Sequence, residues 1–135
     1  MKRTYLFYPL FVILCLSLSL PVSGSVREKY NFNPQWLLHV GDMHGEKITL
    51  PRAFNEDEAF KVPIKEMTDT VAWYRKHFKL PKSAKGKKVF IEFEGVRQGA
   101  DFYLNGKHIG LHENGVMAVG FDLTPYLNFN GENVI

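Results

Sequence analysis

The sequence predicts an all-β protein, an antiparallel β-sandwich built from short strands. Apolar and polar residues alternate with a period of two in several short runs, which is the pattern of strands with one buried face. Glycine, proline and Asn-Gly turn signals separate these runs. Aromatic residues make up 14% of the chain and are spread along it. Such a content suits a β-rich core and argues against disorder.

The first 24 residues have the pattern of an export signal. Lys2 and Arg3 precede an almost uninterrupted apolar run from Leu10 to Leu20, and residues 21–24 supply a breaker and a small-residue cleavage site. The apolar run is about 11 residues long, well short of the roughly 20 that span a bilayer. We therefore expect cleavage after Gly24, no stable membrane insertion, and a mature domain of residues 25–135 in the periplasm or outside the cell.

The composition of the expected mature domain excludes several classes of partner. The whole chain has 17 basic and 14 acidic residues, and two of the basic ones, Lys2 and Arg3, lie in the signal. The remaining balance is nearly neutral and gives no electrostatic footprint for nucleic acid. The single cysteine, Cys15, also lies in the signal. The five histidines have no metal-ligand spacing, because His108 and His112 are four apart on a hairpin rather than on a helix. We expect no metal and no cofactor.

The N-terminal half contains two short strand signals and one long loop. Residues 25–33 are predicted to be a polar lead-in, and Trp36 to Val40 and Lys47 to Leu50 to be extended, with a turn between them and Pro51 after them. Residues 52–70 follow neither period and contain an acidic-polar cluster at 55–58. We predict a long surface loop here, and loops of this length are often functional.

A single strand is predicted from Val71 to Leu80. One face of it is apolar and the other polar: Ala72, Tyr74, Phe78 and Leu80 alternate with Arg75, His77 and Lys79. Tyr74 is expected in the core. Trp73 falls on the polar face, where it could stack on a sugar or pack against a neighbouring domain.

The C-terminal half reads as strands joined by tight turns. A solvated basic loop, residues 82–88, precedes strands at 89–93, 100–104 and 119–121, and Glu92 and Glu94 are expected on an outer face. Asn105-Gly106 between two extended runs predicts a hairpin with a type I′ turn, which needs positive φ at both central residues.

Two further signals lie close to the last residue. Thr124 and Pro125 are predicted to be the N-cap and first residue of a single helical turn. Val134 and Ile135 begin an extended run that stops with the chain. Strands of five or six residues are typical, so we expect a sheet that is incomplete at the C-terminus and a chain that is a fragment of a longer protein.

Four stretches occur in an order and spacing that single motifs would not provide. They are VAWYRKHF at 71–78, VFIEFEGV at 89–96, FYLNGKHIG at 102–110 and FDLTPYL at 121–127. Together they resemble the N-terminal sugar-binding domain of glycoside hydrolase family 2, especially its secreted β-galactosidase-like members. The resemblance implies a galactose-binding-like jelly-roll β-sandwich, followed by immunoglobulin-like and (β/α)₈-barrel domains.

The same resemblance implies a non-catalytic role for this chain. The two glutamates of the family's retaining mechanism lie in the barrel, so no catalytic residue is expected here. The implied partners are a β-galactoside-type glycan and the downstream domains of the same enzyme. The alternatives are the equivalent domain of a β-glucuronidase or β-mannosidase, a free-standing carbohydrate-binding module, and a structural domain without sugar contact.

One departure from the family pattern affects the expected sugar contact. Family members often carry Leu-Pro-His-Asp-Trp in the first loop, where an Asp or Asn reaches toward the sugar. Here Leu50-Pro51 is followed by Arg52 and Ala53, so the polar position is lost. We expect Asn55, Glu56 and Asp57 to supply substrate contacts from a shifted loop. The alternative is that the loop is solvated or only packs against another domain.

Overall fold

Short antiparallel strands form the scaffold, as the sequence predicts. The computed structural model describes residues 27–41, 45–67, 69–113 and 115–135. The expected export signal at 1–24 lies outside them. Nine strands occur in these ranges: β1 Trp36–Val40, β2 Glu46–Ile48, β3 Ala72–Arg75, β4 His77–Lys79, β5 Phe90–Phe93, β6 Ala100–Leu104, β7 Lys107–His112, β8 Val119–Asp122 and β9 Glu132–Val134. The remaining elements are short 3₁₀ helices at Ile64–Glu66, Lys82–Ala84 and Thr124–Tyr126.

All the strand pairs are antiparallel, which confirms the all-β prediction. One sheet has the order β2-β1-β3, and the other pairs are β4-β9, β5-β8 and β6-β7. No helix in the described ranges has the length and apolar character needed to cross a membrane.

Two clusters of buried side chains make the core, and shared residues join them. The first contains Trp36, Leu38 and Ile48 and the second contains Ile91, Leu104 and Leu123. Phe32, Phe93 and Ile135 pack against both clusters. The prediction that residues 25–33 are only a polar lead-in is therefore wrong at Phe32, because its ring fills space between the two clusters.

Aromatic rings form a continuous row through this core. Successive ring centroids lie 5.0 Å apart for Phe78 and Phe32, 5.8 Å for Phe32 and Trp36, and 6.4 Å for Trp36 and Phe93. The row continues at 5.0 Å to Phe102 and at 4.8 Å to Phe121. Tilted and edge-on pairs at these distances are favourable beyond their buried area.

The predicted strand at 71–80 is two strands with different partners. β3 pairs with β1, whereas β4 pairs with β9. Between them, the amide and carbonyl of Lys76 hydrogen-bond to Ile135 at 2.8 and 3.0 Å. The alternation of faces continues across this junction, so the Lys76 side chain points inward and is buried. The two strands are therefore separated by a change of hydrogen-bonding partner. The alternation of apolar and polar residues does not reveal such a change, because it depends only on which face each side chain occupies.

The Asn-Gly hairpin is confirmed, with φ of 51° at Asn105 and 79° at Gly106. Its asparagine also fixes the end of the chain. The Asn105 amide donates to the Tyr126 carbonyl and to Asn133 Oδ1, both at 2.9 Å, and its own Oδ1 accepts from the Val134 amide at 2.9 Å. Asn133 is fully buried and also binds the backbone amide and carbonyl of Asn128. Every polar atom of the Asn133 side chain therefore has a partner.

The predicted N-cap at Thr124 is wrong by one position. The 3₁₀ turn begins at Thr124 itself, and its cap residue is Leu123. Asp122 Oδ1 accepts from the Thr124 amide at 2.9 Å, while the Thr124 hydroxyl accepts from the Val89 amide at 2.9 Å. Asp122 therefore satisfies the first amide of the turn. The Thr124 hydroxyl is left to bind Val89, the residue before β5.

Replacing Asn133 by alanine should destabilise the fold by about 2–4 kcal/mol, because the buried Asn133 side chain makes three hydrogen bonds, each contributing about 0.5–1.5 kcal/mol. These hydrogen bonds join Asn133 to the Asn105 amide and to the backbone of Asn128. Urea unfolding measures the loss. Asn130→Ala, at an exposed asparagine nearby, is the matched control and should change stability by less than about 0.5 kcal/mol. Equal effects of the two substitutions would contradict this account.

Asp122 should make stability depend on acid pH. Hydrogen bonds from Lys88 and Thr124 lower the pKa of Asp122 from 3.8 to about 2. Because the folded pKa is depressed, this stabilisation is complete above pH 3.8 and is lost as pH falls toward about 2. Asp122→Asn should therefore flatten the pH dependence of the urea midpoint in this window.

The Lys88 contact can be tested separately by carboxyl NMR titration. Lys88→Met should raise the pKa of Asp122 toward 3.8, since the strongest lowering contact is the Lys88 hydrogen bond. Lys85→Met, in the same basic loop, should leave it unchanged. A pKa of Asp122 that is insensitive to Lys88→Met would refute the assigned cause.

Candidate functional site

The loop between β2 and β3 is irregular, as predicted, but it is ordered by its own turns. Backbone hydrogen bonds run from the Glu56 amide to the Ala53 carbonyl, from Glu58 to Asn55 and from Lys61 to Glu58, at 2.9 to 3.3 Å. The Ile64–Glu66 3₁₀ helix follows. Phe54 packs against the first core cluster and fixes the loop where it begins.

Arg52 organises the acidic part of the loop. Its guanidinium lies 2.5 Å from Glu56 Oε1 and 3.2 Å from Asp57 Oδ2. The three side chains become more exposed outward, at 28% for Arg52, 42% for Glu56 and 75% for Asp57. Arg52 Nε is buried and has no hydrogen-bond partner among the described residues. The guanidinium therefore holds both carboxylates at the surface from a position beneath them.

Tyr74 supports Arg52 from the neighbouring strand. Its hydroxyl donates to the Arg52 carbonyl at 2.9 Å, and its ring packs against the first core cluster. The prediction that Tyr74 belongs to the core is thus correct for its ring. Burial raises the pKa of the Tyr74 phenol, so the group stays protonated and keeps its role as a donor.

The predicted site residues are brought together, although not as an isolated acidic pair. Glu56 and Asp57 share one cation, and Asn55 lies beside them at the start of a turn. An ionised carboxylate has about four acceptor positions, and Arg52 uses only some of them. The cluster can therefore accept hydrogen bonds from sugar hydroxyls at a partly exposed edge. Ala53, at the family's usual polar position, is exposed and contributes no side-chain acceptor.

Sequence reasoning missed two features of this loop. One is the organising role of Arg52, for which the spacing of four and five residues to Glu56 and Asp57 was an available signal. The other is exposed apolar surface, with Phe60 at 99% and Ile64 at 88% exposure. The sequence did not predict this exposed apolar surface, because Phe60 and Ile64 each stand next to a lysine.

The histidines do not form a metal site in the part of the chain that the structure describes. No group of three or more His, Cys, Asp or Glu side chains there could hold a metal ion. His108 instead lies 2.8 Å from Asp101, and His112 is buried with no partner at Nε2 among the described residues.

Known proteins resemble this chain over most of its length. Residues 34–135 match the family described as glycosyl hydrolases family 2, sugar binding domain. A Beta-glucuronidase of Formosa agariphila is 43% identical over 132 residues, covering 84% of this chain and 14% of the relative. A Beta-galactosidase of Thermoanaerobacter pseudethanolicus is 38% identical over 121 residues, covering 81% of this chain and 16% of the relative.

Solved structures agree with these relatives. A beta-glucuronidase from glycoside hydrolase family 2 superposes with a TM-score of 0.70 at 41% identity, covering 82% of this chain and 14% of that structure. The chain thus spans about one seventh of the length of the proteins that it matches. Because the family match extends from residue 34, two residues before β1, through the last strand, this chain belongs to the family 2 glycosyl hydrolases and comprises their sugar-binding domain over these residues.

Proposed function

We propose that this chain is the N-terminal, non-catalytic sugar-binding and scaffold part of a longer, exported glycoside hydrolase. The observation that supports this most directly is the sugar-binding-domain match over residues 34–135, together with the 14% share of the similar Beta-glucuronidase that the chain spans. Export is inferred from the basic residues Lys2 and Arg3 and the apolar run after them.

For the longer protein we propose hydrolysis of O-glycosyl bonds in β-galactosides by a retaining mechanism. The relative named Beta-galactosidase supports this substrate. β-Glucuronides are the second candidate, because the relative at 43% identity is named Beta-glucuronidase. A retaining mechanism needs two carboxyl groups about 5–5.5 Å apart on either side of the scissile bond. Glu56 and Asp57 instead face one shared guanidinium, which suits binding rather than catalysis.

The contribution of this chain to the reaction is proposed to be the loop at 52–70. Rigid strands position the loop through Phe54 and Tyr74, and such a scaffold with a polar loop is the usual arrangement for a binding site. Asn55, Glu56 and Asp57 would accept hydrogen bonds from sugar hydroxyls at the edge of the active site. Phe60 and Ile64, exposed farther along the loop, would be covered by another part of the longer protein.

The chain by itself should not turn over chromogenic β-galactosides or β-glucuronides, because the catalytic glutamates are proposed to lie elsewhere in the protein. Release of nitrophenol by the purified chain, compared with buffer and with the full natural polypeptide, measures this. The full polypeptide tested on both substrates also separates the two substrate candidates. The proposal would be contradicted if glycosidase activity stayed with the purified chain through several chromatography steps.

Alanine at Asn55, Glu56 or Asp57 in the full polypeptide should lower kcat/KM if that residue binds sugar. A hydrogen bond to a charged group, as at Glu56 or Asp57, contributes about 1.5–3 kcal/mol, which corresponds to roughly tenfold to over a hundredfold in kcat/KM. A hydrogen bond to the neutral amide of Asn55 contributes about 0.5–1.5 kcal/mol, or roughly twofold to tenfold. Glu66→Ala, an exposed acid in the same loop, is the control and should stay close to the parent. If all three variants fold and remain within about twofold of the parent, the loop is only scaffold.

A further inference from the structure

A groove of about 290 Å³ lies on the outer face of the β2-β1-β3 sheet. His39, Gly41, Trp73 and Arg75 line it. The Trp73 side chain is 58% exposed, whereas Trp36, the other tryptophan of the chain, is 3% exposed. A large exposed indole in a concave surface is a feature of binding sites, since most of the apolar surface of a tryptophan is normally buried.

The strand register places these side chains in two rows on one face. His39 is directly opposite Trp73, and Leu37 lies between Lys47 on β2 and Arg75 on β3. The inward residues of the same strands, Leu38 and Tyr74, pack in the core. The groove and the Arg52 cluster are therefore on opposite faces of β3, because Tyr74 reaches Arg52 while Trp73 points away from it.

One side of the groove is closely packed. A Cβ placed on Gly45 would lie 2.5 Å from His39 Nε2, so a side chain at position 45 would displace the imidazole ring from its place in the groove.

The chemistry of this face is aromatic and cationic. Arg75 and Lys47 are exposed on this face, whereas Glu46 of β2, also exposed, is directly opposite the inward-facing Leu38. The planar guanidinium matches a carboxylate or sulfate through paired hydrogen bonds. An indole face next to it suits the C–H face of a pyranose ring, which is apolar and flat enough to stack.

We propose that this groove binds an anionic sugar residue of a polysaccharide, with its ring on Trp73 and its carboxylate or sulfate at Arg75. Lys47 adds long-range attraction, which salt screens. The surface would hold the protein on an acidic glycan independently of the sugar contacts of the 52–70 loop.

Affinity electrophoresis of the full natural polypeptide tests the proposal. Native gels contain polygalacturonate, a sulfated galactan or a neutral galactan as the probe. One or both acidic glycans should retard the parent more strongly than the neutral galactan does, and this excess should fall as salt is raised. Which acidic glycan retards it identifies carboxylate or sulfate as the anion. Trp73→Ala and Arg75→Ala should each weaken retardation about tenfold or more.

Matched controls separate binding from folding. Tyr103→Ala removes an exposed aromatic from β6, and Arg97→Ala removes an exposed cation outside the groove; neither should change retardation. Trp73→Phe keeps an aromatic face and should retain part of the binding, which keeps the test valid if Trp73→Ala does not fold. Equal retardation by neutral galactan, absence of retardation of the parent, or no effect of Arg75→Ala overturns the proposal. A lowered melting temperature of Trp73→Ala with unchanged retardation also overturns it, since the groove is then a packing surface.

Discussion

The buried ammonium of Lys76 is the contact on which the arrangement of the core depends. Its Nζ donates to the Pro34 carbonyl and lies 4.7 Å from the centroid of the Phe32 ring and 6.0 Å from that of Trp36. An isolated buried charge would be strongly destabilising, and here a carbonyl and two aromatic faces compensate for lost water. Burial lowers the pKa of Lys76.

The position of Lys76 in the chain explains why a single residue contacts both the segment before β1 and the last residue. Lys76 lies between β3, which pairs with β1, and β4, which pairs with β9. Its backbone amide and carbonyl hydrogen-bond to Ile135. Its ammonium also contacts Phe32, Pro34 and Trp36, so the segment 32–36 packs beside the same junction. Phe32 links Phe78 to Trp36 in the aromatic row, and Ile135 packs against both core clusters. The Lys76 side chain contacts Phe32 and the Lys76 backbone binds Ile135, so one residue positions both.

The same strand region supplies both candidate binding surfaces because successive side chains of a strand point to opposite faces. Tyr74 faces inward and holds the Arg52 carbonyl, which positions the acidic cluster of the loop. Trp73 faces outward and lines the groove with His39 and Arg75. A change that shifted the register of β3 by one residue would exchange the two faces and remove both surfaces together.

The sequence by itself determined the features that depend on near neighbours. Alternation over 72–80, the Asn105-Gly106 turn and the irregular 52–70 loop follow from local backbone preferences, and the structure has all three. Tertiary structure alone decided the partner change at Lys76, the core position of Phe32 and the burial of Asn133. It also placed Tyr74 against Arg52, 22 residues away in the chain. These features depend on pairings between distant segments, and the stability of such a pairing comes from contacts that no single stretch of sequence contains.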